Sequence, residues 1–320
     1  MKSFASFSTS LLLGIVITAM VTQAVAKDTK QPFPQGKQSL QYNGDKRSYI
    51  VRVPTAVTSK VHANANARVA VVLVLHGGGG DGGNAEKMTG FTDKAEREGF
   101  IVVYPEGTGR RIGSFYTWNA GHCCGPAMEK HVDDVNYISL LIDTLLNNYP
   151  IDPDRVFVTG MSNGAMMTHR LGIELSDKIA AIAPVVGTVF GDELQPKSAV
   201  SALMINGLLD KSVPYAGGIT EGRFADSWDG TPTQPAREQA TFWAAANHCA
   251  TEPTEVDDQT QTLVRYRCSP GLDVELHIIK DNGHAWPGGK KGSRRGDTPS
   301  TVINATDVIW EFFTAHPKVS

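Results

Sequence analysis

The sequence predicts an α/β protein built on a mostly parallel β-sheet with helices on both faces. Two continuous apolar runs, VAVVLVL at residues 69–75 and FIVVY at residues 100–104, are typical of strands that are buried on both faces. Segments with helical spacing of apolar residues separate such runs along the chain. Strands that alternate with helices indicate a parallel sheet, whose ligands bind at the carboxyl ends of the strands.

Each element has its own local signal. The stretch QSLQYNGDKRSYIVRV, residues 38–53, places two β-type runs around Asn43-Gly44, which predicts an antiparallel hairpin at the start of the domain. The final helix is predicted from Ala305 to Thr314, with Asn304 as its cap. The remaining predictions are helices at residues 85–98 and 134–146 and strands at residues 156–159, 179–185, 202–205 and 274–279.

Composition indicates a folded protein with a small negative charge. The 320 residues are 41% hydrophobic and 20% charged, with a formal net charge of −3 at pH 7. This small negative net charge does not predict binding to nucleic acid or to anionic lipid. Since we find no dividing linker and no repeat of solenoid length, residues 27–320 are predicted to form one domain.

The amino terminus has the pattern of a secretory signal peptide. MKSFASFSTS carries one Lys, the apolar run LLLGIVITAMV follows, and Ala24-Val25-Ala26 is a small-residue cleavage site. A membrane anchor is the alternative, but the run is shorter than the ~20 residues that cross a bilayer. Residues 1–26 are therefore predicted to be removed on export to the extracellular or periplasmic space.

Four cysteines in an exported chain suggest disulfides, and three pairings are open. Cys249 with Cys268 is the favoured pair. A bridge between the adjacent Cys123 and Cys124 would be strained across a trans peptide, where the Cα atoms lie ~3.8 Å apart, but it stays open. Zinc is not expected, because His122-Cys123-Cys124 lacks the spacing that lets ligands converge on one ion.

Ser162 is the predicted nucleophile. It lies in GMSNG at residues 160–164, between the strand-like VFVT and the helical AMMTHRLGIEL. A single G-x-S-x-G is a modest signal, but strand, tight turn and helix in this order hold a Ser hydroxyl at the top of a sheet. A side chain at Gly160 or Gly164 would crowd the strand and helix that meet there.

A Ser nucleophile needs a base and an acid that orients the base. Asp210 follows the strand ALMI, and His284 follows the strand VELHII, so both lie just past carboxyl ends. The order Ser, Asp, His along the chain is the one this arrangement requires. Asp210 and His284 are therefore predicted to complete a triad with Ser162.

Other histidines and acids are less well placed. His277 lies inside an apolar strand, and His169 lies in the helix after the turn, so both are expected to be packing residues. Asp226 and Asp229 occupy GRFADSWDG, which could be a lid, and Asp281 precedes a tight turn. Either of the first two is the next choice for the acid.

The loop HGGGG at residues 76–80 follows the first long strand and predicts an oxyanion hole. Acyl transfer develops negative charge on the former carbonyl oxygen, which needs aligned N–H donors. The backbone N–H groups of Gly78 and Asn163 are the predicted donors. A phosphate-binding loop is the alternative, but GGGGDGGN lacks the Lys and Ser/Thr of a P-loop.

Six motifs together resemble the secreted esterase family that includes polyhydroxybutyrate depolymerase-like enzymes, feruloyl esterases and acetylxylan esterases. They are LHGGGGDGGN, YTWNAGHCCG, DDVNYISLLID, VTGMSNGAMMTHRL, NGLLDKSVPYAGG and NGHAWPGG. The resemblance implies an α/β-hydrolase fold, no cofactor, no metal, and ester hydrolysis through an acyl-enzyme. It places Ser162, Asp210 and His284 in the triad and Gly78 in the oxyanion hole.

By the same analogy, Trp118, Cys123, Cys124 and Trp286 would line the cleft, although large aromatic residues are as often part of the core. One departure is Asn206-Gly207, where the family often has His-Gly. Neither residue is needed for the chemistry.

The predicted function is that of a secreted serine esterase acting on feruloyl or acetyl esters of plant polysaccharide, with polyhydroxybutyrate depolymerase as the alternative. The chain ends soon after its last predicted helix, which favours small or soluble substrates over dense polymer. A non-catalytic carbohydrate-binding protein on the same scaffold is the alternative of another class. Sequence does not predict the oligomeric state.

Overall fold

The computed structural model describes residue 1 and residues 33–109, 115–220 and 225–318 of the chain. The chain divides into two compact units, Met1–Pro32 and Phe33–Ser320. The predicted signal peptide of residues 1–26 falls in the first unit, of which only Met1 is described. All the described helices and strands lie in the second unit.

One mixed sheet forms the centre of the second unit. Its described strands are β1 (Gly36–Tyr42), β2 (Asp45–Arg52), β3 (Val69–Leu75), β4 (Ile101–Pro105), β5 (Ile151–Met161), β6 (Ala181–Val185), β7 (Ser201–Gly207), β8 (Thr254–Asp257), β9 (Gln261–Arg267) and β10 (Asp273–Ile279). Across the sheet they follow the order β1-β2-β4-β3-β5-β6-β7-β10-β9-β8. The block from β4 to β10 is parallel, and an antiparallel pair flanks it on each side.

Helices cover both faces of this sheet, as predicted. They are α1 (Thr55–Ala63), α2 (Gly82–Thr89), α3 (Phe91–Glu98), α4 (Gly125–Glu129), α5 (Asp134–Asn148), α6 (Asn163–Glu174), α7 (Ala236–Ala246) and α8 (Ala305–Ala315), with a short 3₁₀ helix at Ala225–Ser227. Leu73 and Leu75 of β3 pack on the side of α5, α6 and α7, whereas Val72 and Val74 pack on the side of α2, α3 and α8. Alternate residues of a central strand thus enter two separate cores.

One predicted helix is wrong. Residues 85–98 were expected to form a single helix, but the structure has two, α2 and α3, which meet at Gly90. Gly90 has φ 71°, a left-handed conformation that ends a helix and that glycine adopts at little cost. The apolar spacing continues across Gly90, which is why periodicity alone predicted one helix.

The first hairpin and the last helix lie where they were predicted, whereas several other elements were not predicted. The hairpin of β1 and β2 turns at Asn43-Gly44, and Asn304 caps α8 by accepting a hydrogen bond from the N–H of Asp307 at 3.2 Å. The hairpin of β8 and β9 at the far edge and the helices α1, α4 and α7 were not predicted. Every residue of β8 is exposed, so it carries no apolar signal.

Both cysteine pairs are joined by disulfides. Cys249 is bonded to Cys268, which ties the segment after α7 to the end of β9. Cys123 is bonded to Cys124, and the peptide between these two residues is cis. The first pair is the one favoured from the sequence.

Removing the Cys249–Cys268 disulfide is expected to lower the free energy of unfolding by roughly 3 kcal/mol, because the bond closes a short loop in the unfolded chain. Urea unfolding of the Cys249→Ser, Cys268→Ser double variant against the oxidised parent measures the loss. Peptide mapping that finds free thiols at both positions in the purified, unreduced protein would contradict the assignment.

Candidate active site

Ser162 occupies a sharp turn between β5 and α6. Its backbone has φ 59° and ψ −125°, a conformation that costs a non-glycine residue of the order of 1–3 kcal/mol. The surrounding hydrogen bonds hold it: the Ser162 N–H donates to the carbonyl of Val185 at 3.0 Å, and the N–H groups of Ala165 and Met166 donate to the Ser162 carbonyl. The hydroxyl therefore stands at the carboxyl end of β5, as the sequence predicts.

The two glycines of the turn, Gly160 and Gly164, lie so close to neighbouring backbone atoms that a side chain at either position would clash with them. A Cβ atom built on Gly160 would lie 2.7 Å from the backbone carbon of Gly164 and 2.9 Å from Cβ of Leu75. A Cβ atom on Gly164 would lie 2.7 Å from the carbonyl oxygen of Leu75. Strand β3, strand β5 and helix α6 thus approach each other at van der Waals limits, which explains both glycines.

Asp210 and His284 meet at the carboxyl ends of β7 and β10. The Nδ1 atom of His284 lies 2.8 Å from Oδ2 of Asp210, whose side chain is 1% exposed. The other carboxylate oxygen, Oδ1, accepts hydrogen bonds from the N–H groups of Ser212 and Val213, each at 2.8 Å. A carboxylate held in this way fixes the tautomer of the imidazole and leaves Nε2 as the nitrogen available for chemistry.

Backbone contacts join the two loops that carry these side chains. The N–H of Leu209 donates to the carbonyl of Asn282 at 3.0 Å. Asn282 is fully buried, and its amide donates to the carbonyls of Gly283 and Ala285. The spacing between Asp210 and His284 is therefore set by main-chain contacts as well as by their own hydrogen bond.

The glycine-rich loop lies against Ser162 and Asn163. A Cβ atom on Gly77 would lie 3.4 Å from Cβ of Ser162, and one on Gly78 would lie 3.7 Å from Cβ of Asn163. The N–H groups of Gly79 and Gly80 donate to the carbonyls of Tyr116 and Gly77. Two of the loop's donors are thus already used, which leaves Gly77 and Gly78 as candidates and agrees with the choice of Gly78.

His76 is a positioning residue that sequence reasoning did not single out. It is fully buried, its Nδ1 lies 2.9 Å from the carbonyl of Gly77, and its Nε2 accepts a hydrogen bond from the N–H of Gly107 at 3.0 Å. Burial lowers the pKa of His76 to about 4, so the ring is neutral and fills both roles with one proton. It therefore holds the glycine-rich loop in place.

The Asn163 side chain was not predicted to have a role of its own. Its Oδ1 accepts from the N–H of Trp118 at 2.7 Å, and its Nδ2 donates to the Trp118 carbonyl at 3.0 Å. The Trp118 indole in turn donates to the carbonyl of His76 at 3.0 Å. These hydrogen bonds connect three segments: the loop that contains Trp118, the glycine-rich loop and the first turn of α6. The candidate oxyanion donors, the N–H groups of Gly78 and Asn163, belong to the last two segments.

The residues expected to line the cleft are all buried. Trp118, Cys123 and Cys124 are at most 7% exposed and belong to the core on the α6 side of the sheet. Trp286 is 1% exposed, lies in the other core, and donates from its indole to Oγ1 of Thr306 at 3.0 Å. For Trp286 this placement favours the packing interpretation over the cleft interpretation.

The alternative bases are engaged elsewhere. The Nε2 atom of His169 lies 2.8 Å from Oε1 of Gln239, its Nδ1 accepts from the Trp243 indole, and burial lowers its pKa to about 4. His277 is 7% exposed, and its Nε2 lies 3.3 Å from the carboxylate of Glu275. Both are packed histidines, as their positions in the sequence suggested.

The described part of the chain shows neither a metal-binding cluster nor a membrane-spanning helix. Residue 1 and residues 33–109, 115–220 and 225–318 contain no group of three or more His, Cys, Asp or Glu side chains arranged to hold a metal ion. Over the same residues, no helix combines the length and the apolar composition that a membrane span requires.

The chain matches the family model described as "Esterase PHB depolymerase" over residues 56–232. That segment is more than half of the chain. The chain belongs to this family. The matched segment contains Ser162, Asp210 and the glycine-rich loop, whereas His284 lies beyond it. The assignment of His284 to the candidate site therefore rests on its hydrogen bond to Asp210.

Individual relatives of this esterase family differ in their substrates. The chain is similar to feruloyl esterase B of Piromyces equi, with 30% identity over 205 residues, 62% of this chain and 36% of that protein. It is also similar to poly(3-hydroxyalkanoate) depolymerase C of Paucimonas lemoignei, with 25% identity over 221 residues, 63% of this chain and 52% of that protein. The chain thus spans about a third to a half of the length of these two relatives.

Solved structures agree on the fold. An acetyl xylan esterase from Aspergillus awamori superposes with a TM-score of 0.57 and 17% identity, covering 88% of this chain and 99% of that one. This likeness establishes the α/β-hydrolase fold of the esterase family in this chain.

A cluster around His122 lies outside the predicted site. The Nε2 atom of His122 lies 2.8 Å from Oδ2 of Asp192, and its Nδ1 lies 2.7 Å from Oδ2 of Asp229 and 3.0 Å from Oγ1 of Thr231. Because carboxylates only accept hydrogen bonds, both ring nitrogens carry protons in this arrangement. Asp229, one of the alternative acids, is therefore engaged with His122.

The charge on His122 is stabilised by these partners. Burial by itself lowers the pKa of His122, but hydrogen bonds and charges from Asp192 and Asp229 outweigh it and raise the pKa above its ordinary value. Burial tends to raise the pKa of Asp229, and the N–H of Thr231 together with His122 lowers it overall. The cluster therefore stabilises the fold while His122 is charged.

Stability should depend on pH through His122. A raised folded pKa gives a contribution that is complete below the unfolded value of ~6.5 and lost as pH rises through the folded value. The difference in melting temperature between the parent and His122→Gln is therefore expected to be larger at pH 6 than at pH 9. Thermal unfolding checks this, with His62→Gln on the exposed part of α1 as control; an equal difference at both pH values would contradict the charged cluster.

Proposed function

We propose that this chain is a secreted serine esterase that hydrolyses carboxylic esters through an acyl-enzyme. The observation that carries the proposal is the hydrogen bond between Asp210 and His284, made at the carboxyl ends of β7 and β10, the end of the parallel sheet at which the strained turn of Ser162 follows β5. Membership of the esterase family supports it. No cofactor enters the proposed reaction.

In the proposed mechanism, Nε2 of His284 takes the proton of the Ser162 hydroxyl as Oγ attacks the ester carbonyl. The N–H groups of Gly78 and Asn163 stabilise the negative charge on the carbonyl oxygen. His284 then protonates the leaving alcohol, which leaves the acyl group on Ser162. Water repeats the two steps and releases the acid and free Ser162. Asp210 orients the imidazole and stabilises its charged form.

The proposed setting is the mature chain of residues 27–320, acting as one catalytic domain after removal of residues 1–26 on export. The leader pattern in the sequence supports export. The proposed substrates are feruloyl or acetyl esters of plant polysaccharide, supported by the likeness to feruloyl esterase B. The likeness to a poly(3-hydroxyalkanoate) depolymerase supports 3-hydroxybutyrate oligomers as the alternative.

The two substrate classes can be compared directly. We expect the protein to release ferulate from a feruloylated oligosaccharide with a higher kcat/KM than that for release of 3-hydroxybutyrate from its oligomers. Chromatography of both products under one set of conditions measures the ratio. A reversed ratio would assign the chain to the depolymerase alternative, and hydrolysis of neither would leave the carbohydrate-binding alternative.

Asp210→Asn should lower kcat by a factor on the order of 10⁴ while keeping the fold, because the amide misorients the imidazole and removes its charge partner. Hydrolysis of p-nitrophenyl acetate and circular dichroism measure the two effects. Asp226→Asn is the matched control, since Asp226 is an exposed acid of the 3₁₀ helix. A folded Asp210→Asn variant with nearly full activity would show that the acid was chosen wrongly.

A further inference from the structure

An exposed basic loop follows the segment that carries His284. Within KKGSRRG, residues 290–296, the side chains of Lys290, Lys291, Arg294 and Arg295 are all exposed. Among the residues that the structure describes, none of these four cations takes part in an ion pair. Four unpaired positive charges within six positions are unusual in a chain whose net charge is −3. We call Lys291, Arg294 and Arg295 the basic rim.

The loop is bonded to both sides of the candidate active site. On one side, Nδ2 of Asn84 donates to the carbonyl of Gly292 at 2.7 Å. The same Asn84 side chain lies against the glycine-rich loop, since a Cβ atom built on Gly80 would lie 3.2 Å from its Oδ1. On the other side, Oδ2 of Asp297 accepts from the N–H of His284 at 2.7 Å. The loop therefore runs between the glycine-rich loop and the catalytic histidine.

This anchoring brings the charges close enough to act on a bound substrate. Arg295 lies two residues before Asp297, and two residues span at most about 7 Å. The Asp297 side chain and its hydrogen bond to His284 add to that span, so the backbone of Arg295 lies within about two Debye lengths (~8 Å each at physiological ionic strength) of His284. The field of the basic rim at His284 is therefore weakened by salt but not abolished.

The acidic groups around the loop offset the rim only in part. Asp297 accepts a hydrogen bond from the N–H of His284 but keeps its negative charge. In the adjoining groove, Asp307 pairs with Lys94 at 3.1 Å, and Glu86 pairs with Arg52 at 2.6 Å. The four cations of the loop outnumber the two carboxylates without an ion pair among the described residues, Asp93 and Asp297, so the net charge of these groups is positive.

We propose that the basic rim is an anion subsite that selects ester substrates bearing a carboxylate away from the scissile bond. The proposal deepens the proposed esterase function and rests on it. The carboxylate has two chemical sources that fit: a uronate of an acidic oligosaccharide ester, or the free terminal carboxylate of a hydroxy-acid oligomer. Several surface charges of one sign near a site raise the local concentration and the association rate of oppositely charged substrates by about 10-fold or more.

The test compares two esters that differ only in charge, 3-acetoxybenzoate and 3-acetoxybenzamide. Replacing the rim (Lys291→Gln, Arg294→Gln, Arg295→Gln) is expected to lower the ratio of kcat/KM for the anionic ester to that for the neutral ester by about tenfold. Adding salt should lower the same ratio in the parent, because exposed charges are screened. Charge reversal to Glu at the three positions should lower the ratio further.

A matched control removes three cations near the amino ends of the parallel strands, away from the candidate site. They are Lys60→Gln on α1, Arg68→Gln directly before β3, and Arg155→Gln in the first half of β5. The control should keep the ratio of the parent. Circular dichroism checks that both triple variants are folded. Should the rim variant fail to fold, the salt dependence of the ratio in the parent decides alone.

The outcomes separate this inference from the proposed function. Hydrolysis of both esters with a ratio that neither the rim substitutions nor salt changes would overturn the subsite and leave the esterase standing. If the protein hydrolyses neither of these esters and no other ester, the esterase function and the subsite are both overturned. If the subsite stands, the same ratio measured for an acetylated xylo-oligosaccharide with and without a glucuronate, and for a 3-hydroxybutyrate trimer and its methyl ester, identifies the source of the carboxylate.

Discussion

The close approach of β3, β5 and α6 around Ser162 is the constraint on which the rest of the site depends. Without a Cβ at Gly160 or Gly164, the helix can begin directly after the strand, and the half-buried Ser162 adopts a conformation with positive φ at the carboxyl end of β5. The same contact puts the first turn of α6 beside the glycine-rich loop. The candidate nucleophile and the candidate oxyanion donors thus depend on the same packing arrangement.

The buried polar network around this turn makes the arrangement rigid. Neutral His76 and the Asn163 side chain each satisfy backbone groups that would otherwise be buried without partners, and leaving such a group unpaired costs about 1–3 kcal/mol. Asp210 is fixed in a similar way by two N–H groups beyond β7. The proposed chemistry at the strand ends would therefore use preorganised hydrogen bonds, which stabilise the charge of a transition state without reorganisation.

Local signals predicted much of the fold, and contacts between distant segments account for what they missed. The apolar run at residues 69–75 has the same bounds as β3, because a strand buried on both faces needs apolar residues throughout. The apolar spacing continues across Gly90, so two helices were predicted as one. The edge strand β8 is exposed throughout, and its hairpin partner β9 is only partly buried, so neither carries a strong apolar signal. Asp210 and His284 were predicted as catalytic partners from their positions after strand ends, and the structure brings these two side chains within hydrogen-bond distance. The reciprocal bonds of Asn163 with Trp118, and the placement of Trp286 in the opposite core, depend on tertiary packing that no spacing encodes.

Ser162 is the proposed nucleophile, and covalent labelling identifies an activated serine without reference to the substrate. A fluorophosphonate transfers its phosphonyl group to an activated serine, with loss of fluoride, and blocks hydrolysis in proportion to labelling. We predict a single adduct, mapped by mass spectrometry to the peptide that contains Ser162, and no adduct in Ser162→Ala. Complete loss of ester hydrolysis with the adduct on a different residue, or unchanged hydrolysis by Ser162→Ala, would contradict the account.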